Sequence, residues 1–249
     1  MVANPAPHHD KPGDVLARIN LNTNDLLNLK GTPLPQDASF DELRLKDVPA
    51  GAEVKPGQRL DPLIHYAGRV EVTFSGAPSQ TALTTLKSFV DRSQHRVVST
   101  TTELSLDYER GLLLLRAPAA QGASGNLKAG GSIDCPDIVL QSELDNVHII
   151  VVSLDGQPLP RSTRMLVQAI SEERTTGFAT EDAGNQVRRI TDIGKDPWQV
   201  KALQGSVKFK NFSNLRIQSL DFNGYPKGTA RQGTEFTLEP ETIYYLVTR

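Results

Sequence analysis

The pattern of apolar and polar residues in the middle of the chain predicts a β-hairpin. Apolar and polar residues alternate over 104–108, which is the two-residue period of a strand with one buried face. The tripeptide Glu109-Arg110-Gly111 follows, and its glycine can take the left-handed conformation that closes a three-residue loop. A continuous apolar run over 112–115 then predicts a second strand. We therefore expect a hairpin over 103–122.

The second half of the chain has the pattern of an antiparallel all-β domain. Turn signals recur roughly every 8–15 residues, a spacing typical of a sandwich or barrel. They include Asp155-Gly156 and Asn223-Gly224, dipeptides that favour hairpin turns. An antiparallel β-sandwich is the simplest interpretation. Its strands are expected at 133–140, 147–154, 164–171, 187–190, 199–203, 205–209, 215–220, 235–238 and 243–247.

The N-terminal quarter of the chain is less regular. Residues 1–14 are polar and contain proline, and we expect a flexible terminus there. Apolar residues alternate over 15–21 and predict a strand, while 24–29 favour a short helical turn or an irregular loop. Five prolines and three glycines lie in 30–62 and predict an irregular segment, in which 40–45 is the most ordered piece.

One helix is predicted ahead of the hairpin. Ser79 is a candidate N-cap, because a serine hydroxyl can accept a free N–H of the first helical turn. Leu83, Leu86 and Phe89 follow at the spacing of three to four residues that gives a helix one apolar face. We therefore expect a short helix over about 79–90.

These patterns predict a mainly β fold: an antiparallel β-sandwich with one short helix and a Pro/Gly-rich N-terminal segment. The expected organisation is a flexible terminus over 1–14, an irregular linker or packing segment over 15–64, and a β-sandwich domain over 65–249. Two sub-sheets or subdomains of that domain are expected to meet near 120–132. The small residues of 119–132 predict a flexible connection, because their glycines lack the spacing of phosphate-binding loops.

Composition and charge exclude several classes of function. The net charge is −2, so no electrostatic attraction to nucleic acid or to an anionic membrane is expected. No apolar stretch approaches the roughly 18 residues that span a bilayer, and the first 14 residues contain no apolar signal-peptide core. The single cysteine, Cys135, excludes an internal disulfide and is expected to be a buried small hydrophobic residue.

Several segments of the β-rich part occur in the order found in a known family. They are DYERG followed by LLLLRAPAAQG, then HIIVVSLDGQPLPRSTRMLVQAISEERTTGF, VRRITDIGKDPWQVKALQGSVKF, LDFNGYPKG and FTLEPETIYYLV. Through these segments, residues 65–249 resemble the C-terminal β-rich region of bacterial cellulase- and β-galactosidase-like glycoside hydrolases.

The resemblance implies an accessory role. In such proteins this region follows a (β/α)₈ barrel that carries the acid/base and nucleophile carboxylates. A full barrel takes roughly 200–250 residues, whereas here the β-rich part follows a Pro-rich segment that lacks its periodicity. The resemblance therefore implies a non-catalytic sandwich that supports a catalytic barrel and contacts carbohydrate, and it transfers no catalytic residue. As part of a secreted enzyme the chain would be extracellular or periplasmic, and an apolar patch along 15–64 should face the barrel.

Two further functions stay open: a stand-alone carbohydrate-binding module and a small glycoside hydrolase. Sugar-binding domains commonly stack sugars on exposed aromatic rings that are surrounded by polar groups. Alternatively, such rings fill the rim of the sandwich core, and the aromatic content of 6% is low for a dedicated sugar binder. The candidate sugar-contacting residues, all in or beside predicted turns, are Trp198, Phe178, Phe222 and Tyr225.

A glycosidase would need two carboxyl groups that face each other across the sugar. Adjacent residues on a strand point to opposite faces, so we expect the neighbouring carboxylates of this chain to be solvated. No histidine or cysteine spacing supports a metal site, and no cofactor is expected. The expected partners are a catalytic glycoside hydrolase domain and a poly- or oligosaccharide, with self-association through free sheet edges. The carboxylates considered are Asp107 with Glu109, Glu172 with Glu173, and Glu181 with Asp182.

Overall fold

The computed structural model describes residues 14–28, 61–184 and 187–249. The chain divides between Glu109 and Arg110 into two compact units. We call the described residues before this boundary the N-terminal unit and those after it the C-terminal unit. The predictions of a flexible terminus, of an irregular segment and of an ordered piece at 40–45 fall wholly or largely outside the described residues.

A three-stranded sheet with the order β2-β1-β3 forms part of the N-terminal unit. The strand predicted over 15–21 is confirmed as β1, and its alternate residues Ala17, Ile19 and Leu21 are buried. β2 pairs with β1 in parallel, and β3 pairs with it antiparallel. The elements of this unit are β1 Val15–Asn22, α1 Thr23–Leu27, α2 Ile64–Ala67, β2 Arg69–Ser75, β3 Gln80–Leu83, β4 Val90–Asp91, β5 Arg96–Val98 and β6 Leu104–Asp107.

The helix predicted over about 79–90 is wrong. Gln80–Leu83 form β3 instead, and after it a single turn closes on the carbonyl of Leu86. The Ser79 hydroxyl accepts the backbone N–H of Asn22 at 2.9 Å rather than capping a helix. The threonines of this segment are stiff at χ1 and favour a strand, so pairing with β1 prevails over the helical spacing of the leucines.

The C-terminal unit is an antiparallel β-sandwich, as predicted. Its larger sheet has the strand order β19-β18-β21-β12-β11-β8-β7, and its smaller sheet the order β20-β17-β10-β9. Its elements are β7 Leu112–Ala117, β8 Ala120–Gly125, α3 Leu127–Gly130, β9 Ser132–Asp134, β10 Ile138–Gln141, β11 Val147–Ser153, a 3₁₀ turn Leu159–Arg161, β12 Arg164–Ser171, β13 Glu173–Thr176, β14 Ala179–Asp182, β15 Arg188–Asp192, β16 Lys195–Val200, β17 Ser206–Phe209, β18 Leu215–Leu220, β19 Arg231–Gly233, β20 Glu235–Thr237 and β21 Tyr244–Thr248.

Side chains from both sheets form one buried cluster between them. The predicted strands at 164–171 and 215–220 coincide with β12 and β18, and the other predicted strands differ mainly in their ends. Each strand of the larger sheet directs alternate residues inward, which is the period expected of a half-covered sheet. The cluster includes Ile149, Val151, Met165, Val167, Tyr245 and Val247 from the larger sheet, and Ile138, Leu140, Val207, Phe209 and Phe236 from the smaller one.

The flexible connection predicted over 119–132 is also wrong. Ala120–Gly125 form β8, which lies between β7 and β11 inside the larger sheet, and a helical turn follows. The small residues permit close packing: a Cβ on Gly122 would stand 2.4 Å from the carbonyl oxygen of Ile149. Small side chains therefore mark a tightly packed strand at this position.

Two strand pairs extend from the sandwich as a ribbon, which we define as residues 173–200. β13 pairs with β16, and β14 pairs with β15. No described residue of the ribbon is buried, whereas β12, which precedes it, places alternate residues in the core. The ribbon thus presents side chains on both of its faces to solvent.

Candidate functional site

Trp198 lies on the ribbon and is 60% exposed. In the register of β13 and β16 it stands opposite Thr175. Its strand is exposed at every position, so no buried face draws the indole into the core. An exposed indole leaves a large apolar surface in contact with water, which makes this residue a candidate for ligand contact.

An open cavity of about 500 Å³ adjoins Trp198. Phe178, which lies in the ribbon between β13 and β14, also lines it. Two of the four aromatic residues proposed from the sequence therefore meet in one place. The remaining residues of the cavity wall are Glu172, Glu173, Arg174, Thr175 and Ile193.

Side-chain hydrogen bonds hold the backbone of the ribbon around this cavity. The Thr175 hydroxyl donates to the carbonyl of Ile193, and the Thr176 hydroxyl donates to the carbonyl of Pro197 at 2.6 Å. Gly194, at φ +70°, has no room for a side chain, because a Cβ would stand 2.5 Å from Thr175 Oγ1. These contacts fix the strand that carries Trp198 against β13.

The charged residues of the cavity are paired unequally. Arg174 donates from Nε to a carboxylate oxygen of Glu172 at 2.8 Å and also bonds it through Nη2. Its guanidinium carbon lies 5.6 Å from the centre of the Phe178 ring, a cation–π distance. Among the described residues, the Glu173 carboxylate has neither a hydrogen bond nor an ion pair. The sequence did not distinguish Glu173 from its neighbour Glu172.

Phe222 and Tyr225 lie in a different place, in the turn that follows β18. The Asp221 carboxylate accepts the backbone N–H groups of Asn223 and Tyr225, both at 2.9 Å, and so shapes this turn. Both rings are exposed, but neither lines the cavity beside Trp198. The structure therefore separates the four candidates into two pairs.

The carboxylate pairs considered for catalysis do not form facing pairs on the ribbon. Glu172 is held by Arg174, and Glu173 stands opposite Val200 in the strand ladder. Glu181 lies 3.2 Å from a guanidinium nitrogen of Arg189. A further carboxylate considered, Glu109, lies on the N-terminal unit, 3.2 Å from the Nδ1 atom of His95. Each of these contacts is typical of a solvated surface carboxylate.

A larger cavity, of about 1030 Å³, lies in the N-terminal unit. Its wall is mixed: Ile64 and Phe89 are apolar, whereas Arg92 forms an ion pair with Asp61. The sequence did not predict this cavity, because its wall comes from residues that the helix prediction had placed on a single element.

Metal and membrane features are absent from the part of the chain that the structure describes. No group of three or more His, Cys, Asp or Glu residues in 14–28, 61–184 and 187–249 is placed to hold a metal ion. No helix in these same ranges is both long and apolar enough to cross a membrane. Cys135 is buried, as predicted, and its burial raises the pKa of its thiol.

Comparisons of the chain with models of protein families, with curated proteins and with solved structures found no match. The functional argument for this chain therefore rests on the chemistry of the ribbon and on the sequence resemblance.

Proposed function

We propose that this chain is a non-catalytic β-sandwich that accompanies a glycoside hydrolase and contacts carbohydrate through Trp198 and Phe178. The observation that carries the proposal is the exposure of Trp198 beside an open cavity that Phe178 also lines. Aromatic rings bind the apolar faces of sugar rings, and polar groups around them bind the hydroxyl groups. Thr175 and the charged residues of the cavity supply such polar groups.

Exposed apolar residues on the N-terminal unit support the accessory role. Leu27 on α1 is 75% exposed, and it belongs to the segment that was expected to face a catalytic barrel. Val72 and Phe74 on β2 are exposed as well. Apolar surface of this kind is typical of a protein that packs against a partner domain. The resemblance of residues 65–249 to a glycoside hydrolase region makes a catalytic barrel the partner of choice.

The carbohydrate part of the proposal can be tested by calorimetric titration with soluble glucans, galactans and xylans. We expect at least one of these polysaccharides to bind, and Trp198→Ala to remove the binding. Phe222→Ala is the matched control, because Phe222 is an exposed ring in another turn, and this variant should bind as the unchanged chain does. Failure of every polysaccharide to bind, or equal binding by Trp198→Ala, would overturn the proposal.

A further inference from the structure

We infer that the Trp198 cavity selects glycans that carry free amino groups, such as glucosamine oligomers, over glycans that carry carboxylates. The inference rests on the proposed function, because it names the class of sugar that the same cavity takes. Its basis is the distribution of charge around the indole.

The charges of the cavity wall leave one carboxylate without a counterion. The wall has two carboxylates, Glu172 and Glu173, and one guanidinium, that of Arg174. Arg174 bonds Glu172 through two of its nitrogens and also contacts the Phe178 ring. The remaining charge of the wall is therefore the negative charge of Glu173.

Glu173 shares a ribbon face with Trp198. Residues opposite each other in an antiparallel ladder point to the same side, and so do residues two apart on one strand. Thr175 stands opposite Trp198, and Glu173 lies two residues before Thr175 on β13. Glu173 is thus the diagonal neighbour of Trp198, at a typical separation of about 7–8 Å, which long side chains can bridge.

This arrangement fits an ammonium group on a sugar ring that is stacked on Trp198. The indole would cover the apolar face of the ring, and an ammonium group at the ring edge would lie toward the Glu173 carboxylate. Arg174 occupies the alternate position of β13, which directs it to the other face of the ladder. A uronate carboxylate at the same place would meet the like charge of Glu173 and no free cation of the cavity wall.

The test compares a glucosamine hexamer, its N-acetylated counterpart and an oligogalacturonate by calorimetry at mildly acidic pH and low salt. We expect the glucosamine hexamer to bind about two- to fivefold more tightly than the acetylated hexamer, the range of an exposed ion pair. Oligogalacturonate should bind more weakly than either. Glu173→Gln should remove the preference for the free amine and leave binding of the acetylated hexamer unchanged.

The control Glu241→Gln removes the same charge from an exposed residue of another turn, and it should keep the preference. Equal binding of both hexamers, loss of the preference in Glu241→Gln, or its persistence in Glu173→Gln would overturn the inference. If both hexamers bind equally and Trp198→Ala removes both, the proposed function stands and the amino-sugar inference alone fails. If none of the three glycans binds, the proposed function fails as well.

Discussion

Gly122 on β8 lies directly against the backbone of β11, where a Cβ would stand 2.4 Å from the carbonyl oxygen of Ile149. The contact atom belongs to the backbone of a central strand, so it has little freedom to move. The sheet therefore depends on the absence of a side chain at this position.

Gly122→Ala should destabilise the C-terminal unit by about 1–3 kcal/mol, the usual cost of overpacking a close contact. Urea denaturation followed by circular dichroism would measure the change. Gly76→Ala is the control, because a Cβ at Gly76 meets nothing within 4 Å, and it should change stability little. Equal stability of Gly122→Ala and the unchanged chain would contradict the packing of β8 against β11.

The same position shows why part of the fold could not be predicted from the sequence. A run of small residues is compatible with a flexible loop and with a tightly packed strand, and only the neighbouring strand decides between them. The error at 79–90 has a related origin, because pairing with β1, which lies far away in sequence, prevails over the local spacing of leucines. By contrast, β1, β12 and β18 were predicted well, because their inward residues alternate with a clear two-residue period.

The candidate site was predictable only in part. Trp198 and Phe178 were identifiable as aromatic residues near turns, but so were Phe222 and Tyr225. Their separation into two places depends on the pairing of β13 with β16, and neither β13 nor β14 was predicted. Both strands are polar and exposed, so they lack the apolar periodicity that indicates a strand.

Tyr245 should make stability depend on pH in the alkaline range. Its hydroxyl accepts the backbone N–H of Glu239 at 2.7 Å, and burial raises its pKa from 10.0 to about 12. The unfolded chain therefore loses this proton first, so the free energy of unfolding should fall as the pH rises from about 10 to about 12. The loss attributable to Tyr245 is at most about 3 kcal/mol.

Tyr245→Phe should lower stability at neutral pH, since the Glu239 N–H loses its acceptor, and it should flatten the alkaline decline. Chemical denaturation across this pH range would measure both effects. Tyr244→Phe, a change at the neighbouring half-buried ring, should decline as the unchanged chain does. Parallel declines in the unchanged chain and in Tyr245→Phe would contradict the assignment.

The loop between β11 and β12 should lose stability in acid. The Asp155 carboxylate accepts the backbone N–H of Thr163 at 2.7 Å and the hydroxyl of Ser153 at 2.8 Å. The hydrogen bond from Thr163, followed by those from hydroxyl groups, lowers the pKa of this carboxyl well below its usual 3.8. The folded pKa is depressed, so its contribution is present above about pH 4 and is lost as the pH falls below that value.

Asp155→Ala should cost about 1 kcal/mol at neutral pH, because the loop loses its acceptor. The difference from the unchanged chain should shrink in acid, which denaturation at a series of pH values would show. A difference that stays constant down to the lowest measurable pH would mean that the charge of Asp155 does not stabilise the loop.

The purified chain should not hydrolyse glycosides. Glu172 is engaged by Arg174, and the ladder places Val200 rather than a second carboxylate opposite Glu173. Assays with p-nitrophenyl glycosides and reducing-sugar assays on polysaccharides should therefore give no turnover. Activity that survives rigorous purification and falls on changing one of these glutamates to glutamine would instead identify a small glycoside hydrolase.

The most direct measurement of the central claim uses Trp198 itself, because it is the only tryptophan of the chain. Acrylamide quenching of its fluorescence reports how far the indole is exposed, without a signal from any other tryptophan. With a saturating oligosaccharide that the chain binds, a stacked sugar should cover the ring and reduce the quenching constant. Quenching that stays the same with every glycan tested would contradict a carbohydrate-contacting role for Trp198.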